Sequence, residues 1–132
     1  MLVNQLAVFL ENRPGRLLAL SKALSERNID LVSLNIADTA DFGIVRILTS
    51  DNASAKEALK AAGFTVKESQ LIGIEVDNVP GGLTRVLEVL AGSEIDIEYL
   101  YSYSAPKDNK AVILFKTNDI ELAQNILKKH NM

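Results

Sequence analysis

The sequence contains no cysteine and no tryptophan, and it has a single histidine among its 132 residues. The missing cysteines exclude disulfides, thiolate metal sites and a cysteine nucleophile. The lone His130 lies near the C-terminal end, where no serine–histidine–acid set is evident. Glycine-rich phosphate loops of the P-loop or dinucleotide type are missing too. We therefore predict no catalytic residues, no metal site and no cofactor, and an enzyme is the disfavoured class.

Positive charge is also scarce, since 14 lysines and arginines face 17 aspartates and glutamates, for a net charge of −3. Nucleic-acid binding needs a basic face, and RNA-recognition domains also need paired aromatics, for which Phe9 is one candidate without a partner. No apolar run approaches the roughly 18 to 20 residues of a membrane span, and the first residues do not resemble a signal peptide. We expect a cytoplasmic protein that binds neither nucleic acid nor membrane.

What the sequence does contain is an internal repeat. The segments Asn12–Leu17 and Asn78–Leu83 share the pattern Asn-x-Pro-Gly-x-Leu at a separation of 78 − 12 = 66 positions. Later matches have a separation of 68, because two residues are added within the loop Ser104–Lys110. The further matches include Ile29-Asp30 with Ile95-Asp96, and Leu59-Lys60 with Leu127-Lys128. Such matches along nearly a whole unit indicate a duplication, with one domain at 1–69 and another at 70–132.

Hydrophobic periodicity predicts strand, helix, strand, strand, helix in each unit. In the first unit the strands are Asn4–Leu10, Asp30–Ala37, Ile44–Thr49 and Phe64–Ser69, and the helices span 15–28 and 53–62. In the second unit the strands are Leu71–Val76, Asp96–Tyr103 and Ala111–Lys116. The helix after the second loop repeats the apolar pattern of the helix at 15–28, and another helix spans 119–129. The fold class is α+β: a ferredoxin-like βαββαβ unit repeated twice, with antiparallel sheets and helices on one face. The second unit lacks its last strand, so one sheet edge is open unless another segment covers it.

The strand alternation assigns a helix-facing set and an opposite set of side chains. The helix-facing set in the first unit is Leu6, Val8, Val32, Leu34, Val45 and Ile47. The opposite set is Phe9, Ser33, Asn35, Ile44, Arg46 and Leu48, and in the second unit Glu75, Tyr99, Tyr101, Tyr103, Val112 and Leu114. Because these opposite faces are half apolar, we expect the other unit or a second chain to cover them, and we predict a homodimer.

The loop Asn-x-Pro-Gly-x-Leu between a first strand and an amphipathic helix, followed by an Ile-Asp strand entry, resembles the ACT domain. Glu11–Gly15 is especially similar to the serine-binding regulatory domain of phosphoglycerate dehydrogenases, although Leu10 stands where that pattern has histidine. The resemblance implies a non-catalytic regulatory module that binds a free amino acid at the interface between paired domains, and it admits a regulated enzyme or other protein partner. Carried over by position, the ligand-binding residues are Asn12, Arg13, Pro14, Gly15, Arg16, Leu17, Asp30, Asn78, Gly81, Gly82, Leu83 and Asp96.

The chemistry of these residues agrees with the resemblance. Each loop opens a helix, whose free N–H groups suit a carboxylate, and Asp30 suits an ammonium group. Plainer interpretations stay open: asparagines as helix caps, aspartates as loop residues, arginines as surface charges, and tyrosines as interface packing. The alternative function is a structural assembly module without a ligand. The first loop, Asn12–Leu17, is expected to carry the main site, and the ligand's identity is not specified.

Overall fold

The computed structural model describes residues 1–37, 42–105 and 107–132, so Pro106 of the inserted loop lies outside the described residues. Its strands are β1 (Leu2–Glu11), β2 (Leu31–Ala37), β3 (Phe42–Thr49), β4 (Thr65–Asp77), β5 (Ile97–Ser104) and β6 (Lys110–Thr117). Its helices are α1 (Arg16–Ser25), α2 (Asn52–Ala61), α3 (Gly82–Leu90) and α4 (Ile120–Lys129). None of the helices in the described ranges is both long and apolar enough to cross a membrane.

The chain divides into two compact units, Asn4–Ser69 and Met1–Val3 with Gln70–Met132. The strand predicted at Phe64–Ser69 and the one predicted at Leu71–Val76 form a single long strand, β4, whose two parts belong to different units. Each unit contains two helices and antiparallel strands, which confirms the predicted fold class.

The N-terminal unit has the strand order β2-β3-β1. The Gln5 side chain donates a hydrogen bond to Ser69 Oγ, which places the first part of β4 beside β1. The core of this unit joins one face of the strands to both helices, and its members include Leu6, Val8, Val45, Ile47, Leu20, Leu24 and Leu59. The helices therefore lie on one face of the sheet, as the alternation predicts.

One helix-facing assignment is wrong. The pairing of β2 with β3 shifts register between Leu31 and Ser33, so Val32 is an extra residue in a β-bulge. Val32 is 47% exposed, and Leu31 packs against the core instead. Leu34 does pair with Ile47 and thus shares the helix-facing side, but it is 41% exposed because β2 is an edge strand.

The C-terminal unit repeats this arrangement with the order β4-β6-β5. Its core includes Ile72, Ile74, Val86, Leu90, Phe115 and Leu127. Tyr99, Tyr101 and Tyr103 pair with residues of β6 on the face away from the helices, as predicted. Tyr101 is buried, which agrees with a packing role for this face.

The edge left by the missing last strand is partly covered by Met1–Val3. The Met1 amino nitrogen donates to the Gly73 carbonyl at 3.0 Å, and the Gly73 N–H donates to the Met1 carbonyl at 2.8 Å. A Cβ on Gly73 would lie 2.7 Å from Val3 Cγ2, so a larger residue here would require the Val3 side chain to shift. The beginning of β1 thus serves as a short edge strand of the C-terminal unit.

Candidate ligand-binding site

The two repeated loops have the same backbone geometry. In the first loop the Arg13 N–H donates to the Glu11 carbonyl at 2.8 Å, and Gly15 at φ 86° directly precedes α1. In the second loop the Val79 N–H donates to the Asp77 carbonyl at 2.9 Å, and Gly81 has φ 91°. Glycine is favoured at both positions because other residues rarely adopt this left-handed conformation.

Neither Asn12 nor Asn78 caps its helix. The residue that precedes each helix is the left-handed glycine, and within residues 1–37, 42–105 and 107–132 no side chain caps the first turn of α1 or α3. The other two helices are capped in the ordinary way: Asp51 accepts from the Ser54 N–H at 3.1 Å, and Asp119 accepts from the Leu122 N–H at 3.0 Å. Both asparagines are exposed, so their amide groups are accessible. The first N–H of each helix is engaged within its loop, since the Arg16 N–H donates to the Arg13 carbonyl at 3.4 Å and the Gly82 N–H to the Val79 carbonyl at 3.1 Å, which leaves the next N–H groups of the first turn for a ligand.

The arginines of the first loop are engaged within their own unit. Arg13 Nε lies 2.7 Å from a Glu11 carboxylate oxygen, in an exposed ion pair. The Arg16 guanidinium carbon lies 4.5 Å from the centre of the Phe64 ring, in a cation–π contact. Arg16 Nε is buried and has no hydrogen-bond partner among the residues that the structure describes. These contacts position both arginines beside the loop and leave Arg16 partly covered.

Asp30 and Asp96 are exposed and stand at the entries to β2 and β5. The Asp30 N–H donates to Ser50 Oγ at 2.9 Å, and the Asp96 N–H donates to Asn118 Oδ1 at 2.9 Å. These bonds fix each aspartate beside the end of the third strand of its unit and leave its carboxylate free of structural hydrogen bonds in the described part of the chain.

The structure does not bring Asp30 close to the loop of the same unit. Glu11 pairs with Phe42 at one end of β3, whereas Leu31 pairs with Thr49 at the other end. Seven strand residues at about 3.3 Å each separate the two ends by roughly 23 Å. The same holds in the C-terminal unit, where Asp77 pairs with Lys110 and Ile97 with Thr117.

A cavity of about 540 Å³ lies beside the second loop, within the range of about 300–1,000 Å³ that is usual for small-ligand sites. Gly81 and Gly82 line it together with Pro80 and Val79 from the loop. The rest of its lining was not predicted from the sequence; it includes Ile74, Glu75, Asp77, Arg85, Val86, Glu88, Lys110 and Met132. The available signal was the exchange of Arg16 for Gly82 between the repeats, which removes a large side chain.

The ion pair Asp77–Lys110 stands at the rim of this cavity and joins β4 to β6. The hydrogen bond and charge of Lys110 lower the pKa of Asp77, and Asp77 in turn raises the pKa of Lys110. Both groups therefore stay charged over the physiological pH range. Gly82 packs directly behind them, since a Cβ there would lie 2.5 Å from the Asp77 carbonyl oxygen.

Other candidate chemistry is sparse. His130 is exposed, and its Nδ1 lies 2.9 Å from the Ile126 carbonyl oxygen at the end of α4. No group of three or more histidine, aspartate or glutamate side chains suited to a metal ion occurs in residues 1–37, 42–105 and 107–132.

Two βαββ-type units, each with an amphipathic helix opened by the same glycine loop, define a tandem ferredoxin-like protein. The family model described as "ACT domain pair" matches residues 1–132, and the chain belongs to this family. The family assignment made from the loops is thereby confirmed.

Solved structures with the same fold were also found. Protein BT0572 from Bacteroides thetaiotaomicron is 38% identical, with a TM-score of 0.91, over 99% of this chain and 90% of that one. The ligand-free regulatory subunit of aspartate kinase from Thermus thermophilus is 16% identical, with a TM-score of 0.65, over 98% and 94%. The corresponding subunit from Thermus flavus is 18% identical, with a TM-score of 0.61, over 97% and 92%. No curated protein matches the chain.

Proposed function

We propose that this protein is a non-catalytic regulatory module that binds a free amino acid at its Asn-x-Pro-Gly-x-Leu loops. The observation that carries the proposal is that Asn12 and Asn78 do not cap their helices. Because the asparagines do not cap their helices, the amide group of each one is available as a donor and an acceptor next to uncapped helix N–H groups. A carboxylate is the natural ligand group for such N–H groups. Membership in the ACT domain pair family agrees with this assignment.

The ammonium group of the ligand requires an acidic partner, for which we assign Asp30 and Asp96. Because each aspartate lies roughly 23 Å from the loop of its own unit, one ligand cannot contact both within a unit. A second copy of the chain that presents its Asp30 to the loop Asn12–Leu17 satisfies this requirement. We therefore propose that Asn12–Leu17 of one copy and Asp30 of the other copy are the two halves of one shared site. Asn78–Leu83 and Asp96 are the corresponding pair in the C-terminal unit.

Edge strand β2 offers a surface for this homodimer. Leu34 and Ile36 are 41% and 46% exposed, and Leu17 and Leu18 of α1 are exposed as well. Apolar side chains concentrated on one edge strand and one helix are typical of an interaction surface, and the unpaired strand edge can extend across a two-fold axis. We propose a cytoplasmic homodimer of this kind, acting on a regulated enzyme; aspartate kinase regulatory subunits share the fold.

A thermal-shift screen of the twenty amino acids tests the proposal. A specific ligand at one hundred times its Kd stabilises the folded state by about 2.7 kcal/mol. We expect the shift to disappear in Asn12→Ala or Asn78→Ala while the unliganded melting temperature stays unchanged. The exposed helix residue Lys22 provides the control, since Lys22→Ala is expected to keep the shift. If no amino acid shifts the transition of the unaltered protein, the alternative of an assembly module without a ligand takes its place.

A further inference from the structure

The space beside the second loop differs from that beside the first at one repeat position. At the repeat separation of 66, Gly82 matches Arg16. The Arg16 side chain extends over the Phe64 ring, with its guanidinium carbon 4.5 Å from the ring centre. Gly82 has no side chain and lines the cavity of about 540 Å³. A Cβ at this position would lie 2.5 Å from the Asp77 carbonyl oxygen, so a larger residue could not fill the space without a shift of the backbone.

The inner wall of the cavity is aliphatic. Ile74 of β4 and Val86 of α3 are buried in the core of the unit, and both line the cavity. Val79 of the loop lines it as well and is 52% exposed. An apolar group in the cavity would contact a preformed aliphatic surface and cover the exposed Val79 side chain, which is favourable because it removes apolar area from water. This wall favours a ligand with an aliphatic group.

Charged groups of both signs accompany the aliphatic wall. Asp77 and Lys110 form an ion pair with each other. Three further charged residues line the cavity, namely Arg85, Glu75 and Glu88. All three are exposed, and they form no ion pair within residues 1–37, 42–105 and 107–132. One guanidinium and two carboxylates therefore stand beside the cavity without a structural partner of opposite charge.

These free charges lie close to one another. The hydrogen bond and charge of Lys110 lower the pKa of Asp77, and the positive charge of Arg85 adds to this effect. Asp77 raises the pKa of Lys110, and the negative charge of Glu75 adds to that. Arg85 and Glu75 are thus both within electrostatic range of the same ion pair. Glu88 is three residues after Arg85 on α3, a spacing that makes their side chains neighbours on the helix surface.

From this arrangement we infer that the cavity is a complete site, within one unit, for a free amino acid with an aliphatic side chain. The ligand carboxylate binds the Arg85 guanidinium, and its ammonium group binds the Glu75 and Glu88 carboxylates. Its side chain contacts the aliphatic wall. A zwitterion is the ligand class that compensates both signs of charge at once. The site goes beyond the function proposed above, because it requires neither the loop asparagines, nor the aspartates at the strand entries, nor a second copy of the chain.

Isothermal titration calorimetry of the full chain with leucine and three analogues tests the inference. Free asparagine has a side chain of similar shape that is polar, 4-methylpentanoate lacks the ammonium group, and 3-methylbutylamine lacks the carboxylate. We expect leucine to bind about tenfold more tightly than each analogue, because each one loses an apolar contact or a charge-assisted hydrogen bond. Failure of leucine to bind overturns the inference, and so does equal affinity for any one of the analogues.

Two substitutions separate the roles of the charged side chains. Arg85→Gln should weaken binding of leucine and 4-methylpentanoate about tenfold and leave 3-methylbutylamine unaffected. Glu88→Gln should weaken leucine and 3-methylbutylamine and leave 4-methylpentanoate unaffected. Lys128→Gln and Glu94→Gln are the matched controls, since both residues are exposed and neither lines the cavity. A variant that loses both single-charge analogues equally has a structural defect rather than a lost contact, and that result contradicts the assigned roles.

The cavity site and the loop sites can fail separately. The double variant Asn12→Ala/Asn78→Ala removes the asparagines of both loops, and we expect it to bind leucine with unchanged affinity. An amino acid whose thermal shift disappears in this variant binds at the loops instead. Ile36→Lys, which lies on the edge strand of the other unit, should also leave leucine affinity unchanged. Loss of leucine binding in either variant overturns a site that is complete within the C-terminal unit.

Discussion

The asparagines of the two loops and the aspartates before α2 and α4 look alike in sequence, but the structure gives them different roles. Asp119 accepts the Leu122 N–H at 3.0 Å, whereas Asn78 makes no capping bond to α3. Replacing each residue with alanine removes side chains of similar size, one of which caps a helix and one of which does not. The difference in the free energy of unfolding between the two variants therefore reports the contribution of the cap. Both positions lie in the C-terminal unit, so any incomplete cooperativity between units affects both variants equally.

The expected magnitudes follow from the hydrogen bonds. Loss of an aspartate cap costs about 1 kcal/mol (range roughly 0.5–2), so Asp119→Ala should lose about that much. Asn78→Ala removes an exposed side chain without a structural bond and should stay within about 0.5 kcal/mol. With a urea m-value of about 2 kcal/mol/M, the Asp119 variant should shift its midpoint by about 0.5 M and the Asn78 variant by less than about 0.25 M.

Urea unfolding followed by circular dichroism at neutral pH gives both values. In the N-terminal unit, Asn12→Ala and Asp51→Ala form the matching pair. The Ser54 N–H and hydroxyl lower the pKa of the Asp51 carboxyl below 3.8. Its stabilising contribution is therefore present above about pH 3.8 and lost as the pH falls through the lower folded-state value, so the Asp51→Ala deficit should shrink in acid. If Asn78→Ala destabilises as much as Asp119→Ala, the asparagine has a structural role and the ligand proposal loses its main support.

Two further substitutions test the edge strand and the second loop. Ile36→Lys places a charge on the exposed apolar edge β2 and should convert a homodimer to a monomer in light scattering; a mass unchanged from the unaltered dimer would remove β2 from the interface. Gly82→Ala puts a Cβ 2.5 Å from the Asp77 carbonyl oxygen, where the backbone cannot easily yield, and should cost about 1–3 kcal/mol in urea unfolding. Gly43→Ala is the control, because Gly43 has no left-handed φ and an added Cβ there would come no closer than 3.5 Å to the atoms around it. An unchanged Gly82→Ala midpoint would show that the loop can move away from β4.

Much of the fold follows from local patterns. Each unit alternates apolar residues with period two in its strands and carries an amphipathic helix after the Pro-Gly turn, so the element order was predictable. The bulge at Val32 was not predictable, because an extra residue in a strand does not alter the residue types from which a strand is predicted. The bulge is visible only in the pairing register of β2 with β3. The pairing of Met1 with Gly73 could not be predicted from local patterns either, since it joins positions 72 residues apart.

The candidate site shows a different limit. The separation of Asp30 from the loop was implicit in the topology: a helix joins the end of β1 to the start of β2, and two parallel strands so connected have these points at opposite ends of the sheet. The roles of the asparagines were not implicit. Asn12, three residues before Gly15, is of a residue type that often caps helices. Only the left-handed geometry of Gly15 shows that the chain enters α1 without a side-chain cap.

The two copies of the loop have different surroundings. In the N-terminal unit Arg16 covers Phe64, and the chain continues directly into its own fourth strand, so the space behind the loop is filled. In the C-terminal unit Gly82 packs against the Asp77 backbone, and Met132 stands at the repeat position of Phe64. Both residues line the cavity behind the second loop. The sequence predicted that the first loop carries the main site because it lies in a complete unit and matches the ligand-binding pattern more closely, with arginines where the second loop has Val79 and Gly82. Those arginines contact Glu11 and Phe64, whereas the cavity of about 540 Å³ lies at the second loop.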